Sequence, residues 1–253
     1  MKGFIQEYGN IIVVVAVILL MLLFGKTGFA KNIQAAILGS ADHIVETGEN
    51  IVPKSVKASD TIDIKGTRYV VLEERENNQA LVMKVSSISS KAFQETVRDD
   101  GQNQSTYEGS EIDNYLENDW YNSLSSTMKS AIQPTNIKQA SYKIYNNPNS
   151  KQETGFKGQV YNTISRHAFL PSVSEIGKVV DLKNKDKVKA FLHGDYTWTR
   201  DSYQGDASSM VSLNANNGSL YDGDVYFPNA VHPAFVIDLS QVNYKVTGHT
   251  DYK

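Results

Sequence analysis

Residues 11–24 read IIVVVAVILLMLLF, an unbroken apolar run behind the polar leader MKGFIQEYGN. As a helix, this run is ~21 Å long, and extending it from Tyr8 to Gly28 gives the ~30 Å that a hydrocarbon core requires. Lys26 and Lys31 follow the run and can reach the interface with their charged ends. The sequence therefore predicts one membrane-spanning helix, with residues 60–253 outside the cytoplasm.

A cleaved signal peptide is an alternative interpretation of the same segment. Gly28-Phe29-Ala30 has the small-x-small pattern of a cleavage site and stands directly before Lys31. The leader carries little positive charge and contains Glu7, which argues against this alternative. Cleavage near Ala30 would release a secreted binding protein.

A pilin-like helix is the third interpretation. Gly3, followed by Glu7, Tyr8, Gly9 and a β-branched apolar run, resembles the amino terminus of the Flp class of bacterial type IV pilins. Those pilins place the glutamate five residues after the cleaved glycine, whereas Glu7 is the fourth residue after Gly3. The resemblance implies a helix that assembles with copies of itself.

An apolar stripe continues beyond the membrane run. Its members recur at helical spacing and are Ile33, Ile37, Leu38, Ala41, Ile44 and Val45. An exposed ridge of this kind marks an interface, so the stripe packs either on the chain's own globular part or on neighbouring chains. We expect self-association through this helix, with Glu7 paired to the amino terminus of the next subunit. The predicted assembly helix thus comprises Glu7, Tyr8, Ile33, Ile37, Leu38, Ile44 and Val45.

Composition limits the location and the function. The net charge is -3 and there is no cysteine. A net charge of -3 does not produce the positive surface field that nucleic-acid binders use. The absence of cysteine excludes thiol catalysis and cysteine-ligated metal sites. An anchored extracellular protein without disulfides suggests a Gram-positive bacterium. The predicted location is therefore the cell membrane with an extracellular head, or a surface filament.

The remaining chain divides into a linker and one domain. We predict the helix over residues 1–47, a linker over 48–59 and a globular domain over 60–253. Strand signals come first, then helices that begin at Ser110 and at the capping-box pair Ser172 and Glu175. Strands follow over 196–200, 208–213, 224–227 and 234–239, with turns at 216–218 and 222–224. This order predicts an α+β fold behind a long hydrophobic helix.

Five blocks in the domain resemble the bacterial family known as domain of unknown function 6273. They are Gly66-x-x-Tyr69, 107–116 with Trp120, Phe169-Leu170-Pro171-Ser172-x-x-Glu175, Thr197-Trp198-Thr199-Arg200-Asp201, and Val231-His232-Pro233-Ala234-Phe235. That family is itself similar to the C-type-lectin-like fold, so the resemblance implies a lectin-like head. Asp201 stands where the family usually has serine, and His232 stands where it usually has arginine. His232 is therefore expected to order its strand pair through a neutral or pH-dependent contact.

Candidate chemical sites are weak. Asp206, Asp222 and Asp224 could supply calcium ligands, but ordinary turn aspartates explain them better. Ser126 and Lys129 match the serine-lysine spacing of penicillin-recognising enzymes without the partner motifs. We therefore predict no catalytic residue, no metal site and no cofactor.

Aromatic residues offer the best candidate for a partner surface, because tyrosine and tryptophan supply contact area at low entropic cost. Trp198 and Phe235 are predicted to lie in the core, and Tyr203, Tyr221 and Tyr226 to form the surface. The predicted function is that of a non-enzymatic surface protein whose head binds a protein or glycan and no nucleic acid. The alternative is an enzyme of the cell envelope.

Overall fold

Strands dominate the computed structural model of the chain, which describes residues 55–142, 160–204 and 206–253. Strands hold 38% of these residues and helices 19%, and each helical segment described is only three to eight residues long. The predicted α+β class is therefore wrong, and the described domain is mostly β. Residues 135–142 form a strand because a distant strand satisfies their backbone groups.

The first sheet has six antiparallel strands in the order β13-β1-β2-β3-β12-β5. Positive backbone φ angles at Lys65 and Gly66 form the turn between β1 and β2, as the sequence predicts. The strands of this sheet are β1 (Asp60–Ile64), β2 (Thr67–Glu74), β3 (Gln79–Lys84), β5 (Ile132–Gln133), β12 (Ala234–Asp238) and β13 (Lys245–His249).

The second sheet contains the other seven strands. The path β10-β9-β8-β11-β4 forms its main part, and β6 pairs in parallel with β8 and in antiparallel with β7. Its strands are β4 (Ser89–Lys91), β6 (Thr135–Tyr142), β7 (Val160–Arg166), β8 (Thr197–Tyr203), β9 (Ser209–Leu213), β10 (Leu220–Asp224) and β11 (Asn229–Val231).

Short helices connect the strands. They are α1 (Glu111–Asn114), a π-helical turn (Tyr115–Trp120), α2 (Tyr121–Ser123), α3 (Ser126–Ala131), α4 (Val173–Ile176), α5 (Lys185–Leu192) and a 3-10 turn (Leu239–Gln241). Ser110 accepts a hydrogen bond from the backbone of Asp113, which confirms the predicted cap of α1. The predicted capping box of α4 is also confirmed, because Ser172 and Glu175 each accept a bond from the other's backbone nitrogen.

Two hydrophobic clusters share the first sheet. Ile62, Tyr69 and Phe235 face the smaller cluster, which also contains residues of α3. Val70 and its neighbours on the opposite face belong to the larger cluster, which contains Trp198. Both Trp198 and Phe235 have no exposed surface, so their predicted core positions are confirmed.

The predicted hydrophobic helix, residues 1–47, lies outside the described residues. Within residues 55–142, 160–204 and 206–253, none of the helices has the length and apolar character that crossing a membrane requires. The correction to the predicted fold class concerns the described residues, which form a mostly β domain, and the predicted membrane-spanning or pilin-like helix is not carried further. Residues Ser55–Lys253 form one compact unit, while the predicted linker boundaries stay predictions.

Candidate functional site

A cavity of about 300 Å³ lies on the face of the first sheet that also carries Val70. The strand register determines which residues form the floor of the cavity. Thr61 pairs with Val70, and Val70 pairs with Met83, so the three side chains share one face of the sheet. The complete lining is Ser59, Thr61, Arg68, Val70, Met83, Val85, Phe191, Leu192, His193, Thr197, His232, Thr247, Gly248, Thr250 and Tyr252. The volume is at the lower end of the range for small-ligand sites.

The end of α5 forms one wall of the cavity. Phe191 and Leu192 are buried, and His193 follows them in the left-handed conformation with φ 51°. The ring of Tyr252 lies against Phe191 in an edge-on arrangement, with 5.8 Å between ring centroids. The backbone oxygen of Tyr252 also accepts a bond of 2.8 Å from Asp181, which fixes this wall.

His232 contributes a neutral imidazole to the cavity wall. Its Nδ1 lies 3.1 Å from the carbonyl oxygen of Lys84, and a carbonyl only accepts, so Nδ1 carries the proton. Burial lowers the pKa of His232 below its usual value, which keeps the ring neutral. Nε2 has no hydrogen-bond partner in the described structure, although Oδ2 of Asp195 is 3.4 Å away. His232 therefore contacts the end of β3, and the expectation that it orders the strand pair through a neutral or pH-dependent contact stays a prediction.

Arg68 gives the cavity its charge. Arg68 is the second residue of β2, and its side chain is exposed. Asp63 faces it in the register and accepts a bond of 2.8 Å from the backbone nitrogen of Gly66. Neither aspartate nor glutamate occurs among the described residues that line the cavity. The lining therefore combines one cation, two imidazoles, several hydroxyls and an apolar floor.

A buried ion cluster joins two of the sequence blocks. Arg200 donates two bonds of 2.6 Å to the Glu175 carboxylate and one of 2.9 Å to the carbonyl of Leu170. Asp201 accepts a bond of 2.6 Å from the backbone nitrogen of Val173. These contacts fix α4 on strand β8, so the geometry of the two blocks is structural, and none of these residues belongs to the cavity lining.

Residues 77–239 match the family model described as Domain of unknown function (DUF6273). The chain belongs to this family. The predicted family resemblance is thus confirmed over the match, which includes four of the five blocks. A comparison with curated proteins gave no match, and a comparison with solved structures gave none either. The C-type-lectin-like fold therefore stays a prediction.

The predicted partner surface is not one continuous group in this DUF6273 domain. Tyr226 is 38% exposed in the turn after β10. Tyr221 is half-buried, and its hydroxyl group hydrogen-bonds to Asn229 at 3.0–3.2 Å. Tyr203 is the last residue of β8 and follows Ser202. Tyr221 lies in β10, where the register aligns it with Ser212 of β9 and with Trp198 near the start of β8, so the two tyrosines are at different positions along the strands. Partner binding by the three tyrosines stays a prediction.

The assembly residues Glu7, Tyr8, Ile33, Ile37, Leu38, Ile44 and Val45 lie outside the described residues, so self-association stays a prediction. Asp206 accepts bonds from Ser208, in the manner of a turn aspartate. In the described ranges, no group of three His, Cys, Asp or Glu side chains could hold a metal ion.

The sequence did not reveal the cavity. Its lining residues extend from Ser59 to Tyr252 and come from both ends of the domain. No local motif joins them, because they meet only through the pairing of β1 with β13 and the packing of α5. The one available signal was the unusual His232, which proved to be a cavity residue.

Proposed function

We propose that this DUF6273 domain is a non-enzymatic binding domain that holds a small ligand in the cavity between its first sheet and α5. The observation that supports this proposal is a cavity of about 300 Å³ whose lining is partly apolar and partly polar. The cavity is open to solvent on one side, since Arg68, His193 and Gly248 of its lining are exposed, so a ligand can enter it from solution. A few polar groups around an apolar floor is the usual composition of a ligand site.

The lining supplies both binding energy and orientation. Val70, Met83 and Leu192 offer apolar contacts worth about 25 cal/mol for each Å² removed from water. The hydroxyl groups of Thr197 and Thr250 can donate and accept hydrogen bonds. Such a lining can hold and orient a ligand without a nucleophile or a metal ion.

Gly248 allows a direct test. It lines the cavity on β13, its φ is outside the left-handed region, and a Cβ placed there would have no atom within 4 Å. Gly248→Leu should therefore fill the space without straining the backbone. Lys245→Leu adds the same side chain to the same strand at a residue outside the lining, so it is the matched control.

The experiment measures the fluorescence of N-phenyl-1-naphthylamine, a neutral apolar dye, with the full-length protein. We expect saturable binding to the wild type and to Lys245→Leu, and loss of that binding in Gly248→Leu. Absence of saturable binding to the wild type would overturn the proposal. Equal binding to all three proteins would also overturn it, since the dye would then bind elsewhere.

The proposal includes a location outside the cytoplasm. Disulfides mark oxidising compartments, so the absence of cysteine does not itself favour this location, which rests on the expectation drawn from the sequence. Protease treatment of intact cells would test the location, because a protein inside the cytoplasm stays intact.

A further inference from the structure

We infer that the ligand is an amphiphilic anion, a carboxylate attached to a short apolar body, with its charge recognised by Arg68. The inference rests on the proposed function of the cavity and specifies the ligand class. It depends on three properties of the lining: its charge, its hydrogen-bond donors and its apolar residues.

The charge of the lining is one-sided. Arg68 makes no ion pair within 4.0 Å in the described part of the chain; Asp63, which faces it in the register, accepts a bond from the backbone nitrogen of Gly66 with one of its two carboxylate oxygens. The cavity lining supplies no carboxylate of its own. A guanidinium group presents a planar set of donors that matches a carboxylate with two parallel hydrogen bonds. A carboxylate ligand would therefore supply the partner that Arg68 lacks.

Neutral donors can complete the anion site. Thr61 shares the floor with Arg68, because the two residues belong to adjacent strands and pair two positions apart. Thr250 and His193 line the same cavity. Hydroxyl and imidazole N–H groups donate to carboxylate oxygens, so the ligand can satisfy both of its oxygens.

The apolar lining explains why the ligand carries more than a charge. Val70, Met83, Phe191 and Leu192 are buried, and all four line the cavity. An inorganic anion would make no contact with these side chains beyond its charge, whereas an aliphatic chain can pack against them. Each methylene group that enters such an environment contributes about 0.8 kcal/mol, so a short aliphatic chain adds substantial affinity.

Three probes with the same chain and different head groups test the inference: octanoate, octan-1-ol and octylammonium. Isothermal titration calorimetry with the full-length protein at pH 7 measures each affinity. We expect octanoate to bind at least tenfold more tightly than octan-1-ol, and octylammonium to bind least. Arg68→Gln should weaken octanoate binding about tenfold and leave octan-1-ol binding unchanged.

Arg75→Gln is the matched control, since Arg75 ends at a surface ion pair with Glu73 and lies outside the cavity lining. It should bind all three probes like the wild type. Gly248→Leu should lose octanoate binding, because the added side chain occupies the cavity.

Each contrary outcome has a separate meaning. Equal affinity for octanoate and octan-1-ol, or unchanged octanoate binding by Arg68→Gln, would overturn the anion inference and leave the ligand cavity intact. Octanoate binding retained by Gly248→Leu would place the site elsewhere and overturn the inference. Binding of the neutral dye without octanoate binding would overturn the carboxylate class alone, whereas failure of the dye overturns the proposed function.

Discussion

Replacement of Asp201 with asparagine should change how the stability of the domain depends on pH. Asp201 is 5% exposed, and burial raises the pKa of its carboxyl group to about 6. Arg200 and Glu175 lie in the same cluster, so one cation faces two carboxylates and a negative charge remains uncompensated. Burial is the largest cause of the raised pKa of Asp201, because the charged form loses its contact with water; Arg200 and the bond from Val173 lower this pKa, and Glu175 raises it further.

The sign and size follow from the two pKa values. Because the folded-state pKa is raised, the free energy of unfolding that Asp201 contributes is fully present below pH 3.8 and is lost as the pH rises through about 6. The difference between these values corresponds to about 3 kcal/mol. Asparagine can accept the same bond from Val173 without a charge, so Asp201→Asn should remove this loss of stability.

Urea denaturation at pH 4, 5, 6 and 7 measures the effect. Between pH 4 and 7 we expect the wild type to lose about 2 kcal/mol relative to Asp201→Asn, because part of the contribution is already lost at pH 4. Asp206→Asn is the control, because hydrogen bonds from Ser208 lower the pKa of Asp206 and its contribution changes only below pH 4. The reasoning is refuted if Asp201→Asn follows the pH dependence of the wild type. A large loss of stability in the variant at pH 7 would likewise refute it, because Arg200 would then require the second anion.

Two further substitutions test the core. Trp198→Ala should cost about 3–5 kcal/mol, since it leaves a cavity and removes the 2.8 Å bond from Nε1 to the carbonyl of Lys91; an unchanged denaturation midpoint would contradict the core position. Glu175→Gln should lower the free energy of unfolding by about 3–5 kcal/mol, because it leaves Arg200 without its charged partner. Ser172→Ala should lower it by only about 1 kcal/mol, because it removes one of the two hydrogen bonds of the capping box. Similar losses for the last two variants in chemical denaturation would argue against the ion pair.

Local signals were predictable from the sequence. The caps at Ser110 and Ser172 depend on a side chain and a backbone group three residues apart, so the sequence contains all the information that forms them. Burial of Trp198 and Phe235 followed from apolar residues within strand-like blocks. The pairing of 135–142 with 160–166 was missed, because partners of a strand are set by the rest of the fold.

Gly223 shows why one turn was predicted wrongly. The sequence Asp222-Gly223-Asp224 predicts a turn, but these residues belong to β10, and residues 225–227 of the strand predicted over 224–227 form the turn instead. A Cβ on Gly223 would lie 2.8 Å from the Trp198 ring, so glycine is required for close packing. The sequence cannot distinguish this use of glycine from a turn, because the indole belongs to a strand 25 residues away.

The strand order of the first sheet also constrains how the protein is made. Strand β3 lies between β2 and β12 in the sheet. Strand β1 pairs with β13, which brings together residues as distant in the sequence as Asp60 and His249. Contacts between such distant residues slow folding, because long loops must close before the contacts form. During synthesis, β1 and β3 therefore emerge as open edges long before β12 and β13 exist. The nascent chain must be kept from aggregating in that interval, by a chaperone or by its charged edge residues.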